Sequence, residues 1–147
     1  MKHKILTSSC CPSFKFFIRK HFPELAKYVS NAPSPMIATG QLIKKMDKDA
    51  KVIFIGPCTS KKTEFQLPEA KGAIDSVISF EELQALFDAR EIHLHGIKPV
   101  AINDASFYGR IFARSGGILT GVKHLVEKAG AKDFNGVAMN GIIECDK

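Results

Sequence analysis

Apolar positions along the chain recur in two rhythms, one typical of helices and one typical of buried strands. From residue 14 to residue 28 they are spaced three and four apart, which predicts an amphipathic helix with Pro12 in its first turn and a break near Pro23. Ser34 followed by Pro35 predicts a second helix start, because serine caps a helix and proline suits its first position. This helix is predicted to run to about Lys45.

Strand-like segments alternate with these helices. The nearly all-apolar run KVIFIGP (51–57) is typical of a parallel strand buried on both faces. Further strands are predicted over residues 3–7, 74–79 and 134–141. Alternation of strands and helices predicts an α/β fold, a mostly parallel sheet flanked by helices, and we expect a single α/β domain over residues 1–147.

Two more helices complete the prediction. Ser79 with Glu82 three residues later forms a capping box, and the helix that follows is predicted to turn Leu83, Leu86 and Phe87 to the core. Residues 116–129 form another apolar helical pattern, whereas residues 90–115 are ambiguous. The closing IIECDK reads as the beginning of a helix, so we expect the chain to be a fragment of something longer.

Composition narrows the class of protein. The 147 residues are 45% hydrophobic, which suits a compact domain with a core, and no apolar run is long enough to span a membrane. The net charge of +6 comes from scattered lysines without a nucleic-acid recognition motif, so neither nucleic acid nor membrane is expected as a partner. The short apolar segment at the N-terminus does not resemble a signal peptide, and a cytoplasmic location is predicted.

Cysteines carry the candidate chemistry. Cys10 and Cys11 are adjacent, and Cys58 follows the apolar run, so both groups are predicted where strands give way to loops, the place where open α/β sheets bind ligands. In a reducing compartment such thiols serve as metal ligands or catalytic groups more often than as disulfides. Packing of small cysteines in a core is the alternative.

Two lysines follow Cys58 within one helical turn. Lys61 and Lys62 could direct their N–H groups at a bound anion or lower the pKa of the thiol, and the alternative is a solvated helix start. The lone Cys145 is expected to be structural, and His93 and His95 to be a surface pair, with metal binding as the alternative. The glycines after Ser115 either cradle an anion or permit close packing.

These segments resemble the iron-only (iron–iron) hydrogenases. TSSCCPSF (7–14) is similar to the family's first signature, Thr-Ser-Cys-Cys-Pro-x-Trp, and GPCTSKKTE (56–64) to the second, Met-Pro-Cys-x-x-Lys-x-x-Glu. The intervening FFIRKHFPELAKYVSNAPSP and the later FARSGGILTGV also resemble that family. The resemblance implies one lobe of the catalytic domain that holds the H-cluster, a four-iron cubane joined to a diiron unit.

The resemblance also implies roles for individual residues. Cys11 and Cys58 would be ligands of the 4Fe-4S cubane, and Cys10 the thiol that relays protons to the diiron unit. Lys61 would hydrogen-bond an anionic diiron ligand. The other implied site residues are Ser34 as a second cofactor contact, Ser30 on the proton path and Glu64 as the acid that ends the second motif.

The chain departs from the family pattern at several points. Phe14 replaces the tryptophan and Gly56 the methionine of the two signatures. The third signature, which supplies two more cysteines, is missing, as are the acidic residues upstream of the first. The resemblance therefore implies a fragment that is inactive alone and binds no cofactor, although it can form a non-native oligomer.

Three functions remain open at this stage. The first is a fragment of a hydrogenase that reversibly reduces protons to hydrogen, with a ferredoxin-type electron carrier and the other domains of the parent as partners. The second is a hydrogenase-like iron–sulfur protein with an assembly or sensory role and no such activity. The third is a thiol-dependent enzyme with Cys10 or Cys58 as nucleophile and a histidine base.

Overall fold

The computed structural model describes residues 5–100, 105–130 and 134–145. The chain divides into two compact units, Met1–His95 and Gly96–Lys147. In the first, the described elements are α1 Pro12–His21, a 3₁₀ helix Pro23–Tyr28, α2 Pro35–Met46, β1 Ile53–Ile55, α3 Ser60–Glu64, a 3₁₀ turn Pro68–Ala70, β2 Ser76–Ile78 and α4 Phe80–Ala89. The predicted α/β fold is confirmed, whereas the prediction of a single domain over 1–147 stays a prediction.

Local helix signals are confirmed in the first unit. Helix α1 begins at Pro12 and ends before Pro23, where the chain continues as a 3₁₀ helix. Helix α2 begins at Pro35 and is capped by the Ser34 hydroxyl, which accepts a hydrogen bond from the Ile37 amide at 3.4 Å. Each proline occupies a position where a helix has no use for the missing N–H group.

The sheet is formed by β1 and β2, which pair in parallel with Phe54 opposite Val77. One face of this sheet packs on the hydrophobic core, to which Phe54 and Val77 contribute. The prediction that the 51–57 run is buried on both faces is wrong, because Ile53 is 55% and Ile55 43% exposed. Successive side chains of a strand point to opposite faces, and here only one face is covered by described residues.

The core lies between α2, the sheet and the segment that joins α3 to β2. Its buried members are Met36, Ile37, Ala70, Ala73, Ile74 and Val77, with Val52, Phe54 and Phe65 packed against them. Helix α2 therefore contributes one side of this core.

Gly40 lies where α2 approaches the 73–74 segment most closely. A Cβ atom there would collide with the Ala73 carbonyl oxygen and lie 2.6 Å from Ile74 Cδ1. We expect Gly40→Ala to destabilise the unit by about 1–3 kcal/mol, because backbone must move to admit the methyl group. Amide hydrogen exchange of α2 measures the loss of protection.

The matched control for this substitution is Gly121→Ala, which also replaces a glycine inside a helix. Its Cβ would meet only Tyr108, at 3.9 Å, an ordinary contact. Without a clash, alanine is the better helix former, and protection in that helix should rise by up to ~1 kcal/mol. Equal effects of the two substitutions would show that α2 does not approach the 73–74 segment as described.

An ionic junction joins the end of α2 to the beginnings of both strands. The Lys44 ammonium donates to the Ala50 carbonyl at 2.6 Å and to Asp75 Oδ2 at 2.8 Å, and the same carboxylate oxygen accepts from the Val52 amide at 2.7 Å. These bonds, the one from Lys44 first, hold the pKa of Asp75 below its usual range. The charged carboxylate is therefore the form that the fold stabilises.

We expect this junction to fail in acid. Because the pKa of Asp75 is lower in the folded than in the unfolded protein, its contribution is fully present above about pH 5 and declines as the pH falls through the ordinary aspartate pKa of ~3.9 toward the folded value. The measurement is the unfolding midpoint of the native chain minus that of Asp75→Asn, from pH 7 to pH 3. A difference that stays constant over this range would refute the assignment.

Helix α4 begins as predicted. The Ser79 hydroxyl accepts from the Glu82 amide at 3.2 Å, and Glu82 accepts from the Ser79 amide at 2.8 Å, which completes the capping box. The predicted core positions are less buried than expected, since Leu83 and Phe87 are half-buried and Leu86 is 53% exposed. Helix α4 is therefore amphipathic, but its apolar face is only partly buried by the described residues.

The predicted strand at residues 3–7 is reduced to a single bridge in its described part. Thr7 pairs in parallel with Val29, through bonds from the Thr7 amide to the Tyr28 carbonyl and from the Ser30 amide to the Thr7 carbonyl. Residues 1–4 lie outside the described residues. In its described residues this segment therefore pairs with the end of the 3₁₀ helix and not with the β1–β2 sheet.

The second unit is helical in its described residues, with α5 Phe107–Ile111, α6 Gly117–Lys128 and α7 Gly141–Cys145. The predicted helix over 116–129 is confirmed. The predicted strand over 134–141 is wrong, because residues 134–140 pair with no described strand and Val137 is 80% exposed. An alternating pattern makes a strand only where a partner supplies the hydrogen bonds.

The close-packing alternative is supported for the glycines after Ser115. Gly116 has φ 72°, and a Cβ on Gly117 would collide with the Ile111 carbonyl. Helix α7 begins where IIECDK predicted a helix. In the described parts of both units, no helix is long and apolar enough to cross a membrane.

Candidate functional site

The vicinal cysteines lie in the short segment that leads into α1. Ser9, which is buried, donates its hydroxyl to the Ala32 carbonyl at 2.8 Å and so ties this segment to the chain before α2. Cys11 is the N-cap of α1, where its sulfur accepts a 3.5 Å hydrogen bond from the Phe14 amide. Cys11 is exposed and Cys10 half-buried, and both are free cysteines.

Cys58 lies between β1 and α3. The Gly56 amide donates to the Ile78 carbonyl at 3.2 Å and extends the β1–β2 ladder almost to the cysteine. The Cys58 sulfur lies 2.9 Å from Ser60 Oγ. The pKa of Cys58 is lowered, first by this hydroxyl, against the opposing effect of burial, and then by the backbone amides of Ser60 and Lys61 and the Lys61 charge. Such a site favours the thiolate, the form that binds metals.

Ser60 is a residue of the candidate site that sequence reasoning missed. Its hydroxyl is the largest influence on the Cys58 thiol, and it lies two residues past the cysteine at the first position of α3. A hydroxyl residue at the start of a short helix after a cysteine is a signal that could have identified it.

Lys61 joins the two cysteine segments. Its ammonium donates to the Cys10 carbonyl at 3.2 Å and to Glu64 Oε2 at 2.7 Å. The ion pair is nearly enclosed, since 11% of the Lys61 side chain and 2% of the Glu64 side chain are exposed. These two bonds use two of the three N–H groups of the ammonium and leave the third for a bound anion.

Both cysteine groups were predicted to lie where strands give way to loops, and the structure places a strand of the sheet before Cys58 alone. In the structure only Cys58 follows the β1–β2 sheet, and Cys10 follows the isolated Thr7 bridge. A lysine side chain, and not a common sheet edge, connects them.

The two adjacent lysines have different partners. Lys61 turns inward to Cys10 and Glu64, whereas Lys62 forms an ion pair with Glu82 of the α4 capping box. Lys62 therefore links α3 to the start of α4, just after the end of β2. The pair does not act as one anion-binding group.

Of the remaining predicted residues, Ser30 and Ser34 form structural hydrogen bonds. Ser30 Oγ accepts from the Ala32 amide at 3.1 Å, and Ser34 is buried as the cap of α2. His93 and His95 are exposed and lie in no strand, and Cys145 ends α7. The roles assigned to Cys10, Cys11, Ser30, Ser34, Cys58, Lys61 and Glu64 stay predictions.

The donor set fits part of an iron–sulfur site. Cys11 and Cys58 are free thiols, one exposed and one with a lowered pKa. In residues 5–100, 105–130 and 134–145, no three histidine, cysteine, aspartate or glutamate side chains are arranged to hold a metal ion. A four-iron cluster usually takes four thiolates, so Cys11 and Cys58 alone would make up half of such a set.

A pair of thiols beside an enclosed ammonium suits an anionic iron–sulfur group, and comparison with known proteins identifies the family. The family model for the iron-only hydrogenase large subunit, C-terminal domain, matches residues 1–147. The chain therefore belongs to the iron-only hydrogenase large-subunit family.

Similar proteins fall into two groups. The cytosolic Fe-S cluster assembly factor NAR1 of Saccharomyces cerevisiae is 33% identical over 116 residues, 74% of this chain and 23% of that protein. Iron hydrogenase 1 of Clostridium pasteurianum is 27% identical over 92% of this chain and 27% of its own length. Among solved structures, a variant of apo [FeFe]-hydrogenase HydA1 from Chlamydomonas reinhardtii matches with TM-score 0.57 and 26% identity, covering 67% of this chain and 28% of that one.

Proposed function

We propose that this chain is the segment of an iron-only hydrogenase domain that supplies Cys11 and Cys58 to a 4Fe-4S cubane. The single observation that carries the proposal is the Lys61 bridge, which brings the segment of Cys10 and Cys11 to the first turn after Cys58. Two motifs far apart in sequence thus meet at one ammonium. The chain spans about a quarter of the relatives above, so the activity of the whole protein belongs to this proposal.

Each residue has a distinct task in the proposal. Cys11 and Cys58 hold the cubane as thiolates, Cys10 carries a proton, and Lys61 offers its remaining N–H to an anionic diiron ligand. When bound, the H-cluster supplies the redox chemistry that interconverts protons and hydrogen. Ser30 lies on the proton path, Glu64 is the acid that closes the second motif and pairs with Lys61, and Ser34, which fixes the start of α2, supports the cofactor contact. A ferredoxin-type carrier would exchange electrons with the parent.

The second candidate is an iron–sulfur assembly or sensory protein of the same family. It is favoured by the identity of 30–35% to four proteins named cytosolic Fe-S cluster assembly factor NAR1, and by Gly56 in place of the methionine of the second signature. Retention of Cys10 and Lys61 favours the hydrogenase. Both candidates place iron–sulfur ligands at Cys11 and Cys58. A cytoplasmic location agrees with the names of these relatives, although a related hydrogenase large subunit is named periplasmic.

The third candidate, a thiol-dependent enzyme, has less support. Such an enzyme needs a histidine base within hydrogen-bond distance of the nucleophile. Among the described residues, no histidine forms a hydrogen bond with Cys10 or Cys58, and the partner of the Cys58 sulfur is Ser60.

Anaerobic reconstitution of the isolated chain with iron and sulfide tests the proposal. We expect a labile cluster at less than one per chain and no hydrogen evolution, because two of about four thiolate ligands are present. The measurement is iron and sulfide per chain, together with the mass of the species. Cys145→Ser is the control and should bind as much iron as the native chain. A stable, stoichiometric four-iron cluster in the monomer would contradict the assignment of only two ligands.

A further inference from the structure

Ser60 directs its hydroxyl at the sulfur of Cys58. The two atoms lie 2.9 Å apart, and both residues are half-buried, so the contact is partly shielded from water. Among the described residues, the sulfur is the hydrogen-bond partner of this hydroxyl. A hydrogen bond in such a place is electrostatically stronger than the same bond in water, because the local dielectric constant is lower.

Capping of α3 does not explain the position of this hydroxyl. Thr59 is the N-cap of the helix, and its side chain forms no capping bond. Ser60 occupies the next position, inside the helix, and no helix amide in the described residues binds its hydroxyl. The family's second signature, Met-Pro-Cys-x-x-Lys-x-x-Glu, leaves this position open, so the hydroxyl is a feature of this chain.

The state of the sulfur decides which atom donates. In the free chain either atom can be the donor. A cysteine that ligates iron does so as a thiolate, which carries no proton, so the hydroxyl of Ser60 must then donate. We propose that Ser60 is a positioning residue of the cubane site, which donates a hydrogen bond to the Cys58 thiolate and raises the reduction potential of the cluster.

This inference rests on the proposed function, because that function makes Cys58 a ligand, and it holds for both iron–sulfur candidates. Ser60 acts through charge and not through proton transfer. When the ferredoxin-type carrier supplies one electron, negative charge increases on the thiolate sulfurs, and a donor directed at one of them stabilises the reduced state more than the oxidised state. Hydrogen bonds to the sulfurs are among the factors that set cluster potentials. The hydroxyl proton stays on Ser60 throughout.

Redox titration of the parent with its cluster bound, followed by electron paramagnetic resonance, tests the proposal. We expect Ser60→Ala to lower the equilibrium constant for one-electron reduction about three- to tenfold, where tenfold equals ~59 mV, at unchanged iron content. Ser60→Thr keeps the hydroxyl and should retain the native potential. Ser60→Val has the shape of the threonine variant without its hydroxyl, and should show the same fall as Ser60→Ala.

The matched control is Thr59→Ala. It removes a hydroxyl from the exposed neighbouring residue, whose side chain forms no capping bond, and should leave the potential unchanged. A second measurement detects the bond itself. Electron–nuclear double resonance of the reduced parent should show a coupled proton that exchanges in deuterium oxide, present with serine or threonine at position 60 and lost in Ser60→Ala. A role of Ser60 in folding alone would not produce this signal.

The outcomes separate the role of Ser60 from the proposed function. A native potential in both Ser60→Ala and Ser60→Val, with iron retained, would overturn the role of Ser60 and leave the proposed function intact. Loss of iron in these two variants would also overturn it, because a donor that only tunes the potential is not needed to hold the cluster. Retention of iron in Cys58→Ser would instead remove Cys58 from the ligand set, and the proposed function would fail with it.

Discussion

Replacement of Lys61 by methionine is expected to cost this fold about 3–5 kcal/mol, because the Glu64 carboxylate then remains buried without its partner. Glu64 is 1% exposed, and its other oxygen already lacks a partner among the described residues. The substitution also removes the bond to the Cys10 carbonyl, so the first cysteine segment loses its tie to α3. The measurement is the free energy of unfolding in urea, followed by circular dichroism.

The neighbouring lysine provides the matched control. Lys62 also forms an ion pair, with Glu82, but 37% of its side chain and 47% of the glutamate side chain are exposed. Ion pairs open to solvent contribute little, so Lys62→Met should leave the midpoint nearly unchanged. Equal losses for the two substitutions would show that burial of the Lys61–Glu64 pair is not what stabilises the unit.

A double variant separates loss of the pair from loss of charge balance. In Lys61→Met with Glu64→Leu, no buried carboxylate remains, and apolar side chains of similar volume take the place of the pair. Such exchanges are often neutral or stabilising, so we expect the double variant to recover most of the loss. If it stays as unstable as Lys61→Met alone, the lysine contributes mainly through its bond to Cys10.

Local signals explain why much of the fold could be predicted from the sequence. Ser34 with Pro35, and Ser79 with Glu82, specify helix starts through bonds within four residues, and both occur as expected. These signals depend on the chain near them and not on tertiary neighbours. The parallel pairing of the two predicted strands is likewise confirmed, over the shorter spans Ile53–Ile55 and Ser76–Ile78.

The wrong predictions concern segments whose covering or pairing partner lies elsewhere in the fold. The KVIFIGP run is apolar throughout, yet only the face of Phe54 meets the described core, and Ile53 and Ile55 stay exposed. The run FNGVAMNG alternates like a strand, but residues 134–140 have no described strand to pair with. An apolar pattern identifies a side chain that can be buried, and the covering partner comes from elsewhere in the fold.

In the candidate site, too, the residues could be predicted from local motifs, whereas their tertiary contacts could not. The motifs identified Cys10, Cys11, Cys58 and Lys61 before any geometry was known. They did not predict that Lys61 would reach the Cys10 carbonyl, 51 residues away in sequence. They also did not predict that Glu64 would be among the most buried residues, because glutamate is rarely enclosed unless it is paired.

Cys10→Ser in the full-length parent is expected to lower hydrogen turnover by a factor of ~10²–10⁴ while the iron content stays unchanged. A relay needs a group that exchanges protons near the working pH, and a serine hydroxyl is far too weak an acid. Cys11→Ser and Cys58→Ser should instead lower the iron content, since each removes a thiolate ligand. Iron quantification beside a hydrogen assay on the three variants makes the distinction.

The most informative control for the serine variants is the contrast between the adjacent residues Cys10 and Cys11. Cys11 is exposed at the start of α1, and Cys10 is half-buried with its carbonyl bound to Lys61. Loss of iron in Cys10→Ser and its retention in Cys11→Ser would reverse the two roles. A parent that binds iron through Cys11 and Cys58 but evolves no hydrogen with Cys10 intact would favour the assembly or sensory function. Iron and activity retained in all three variants would mean that neither iron–sulfur function uses these cysteines.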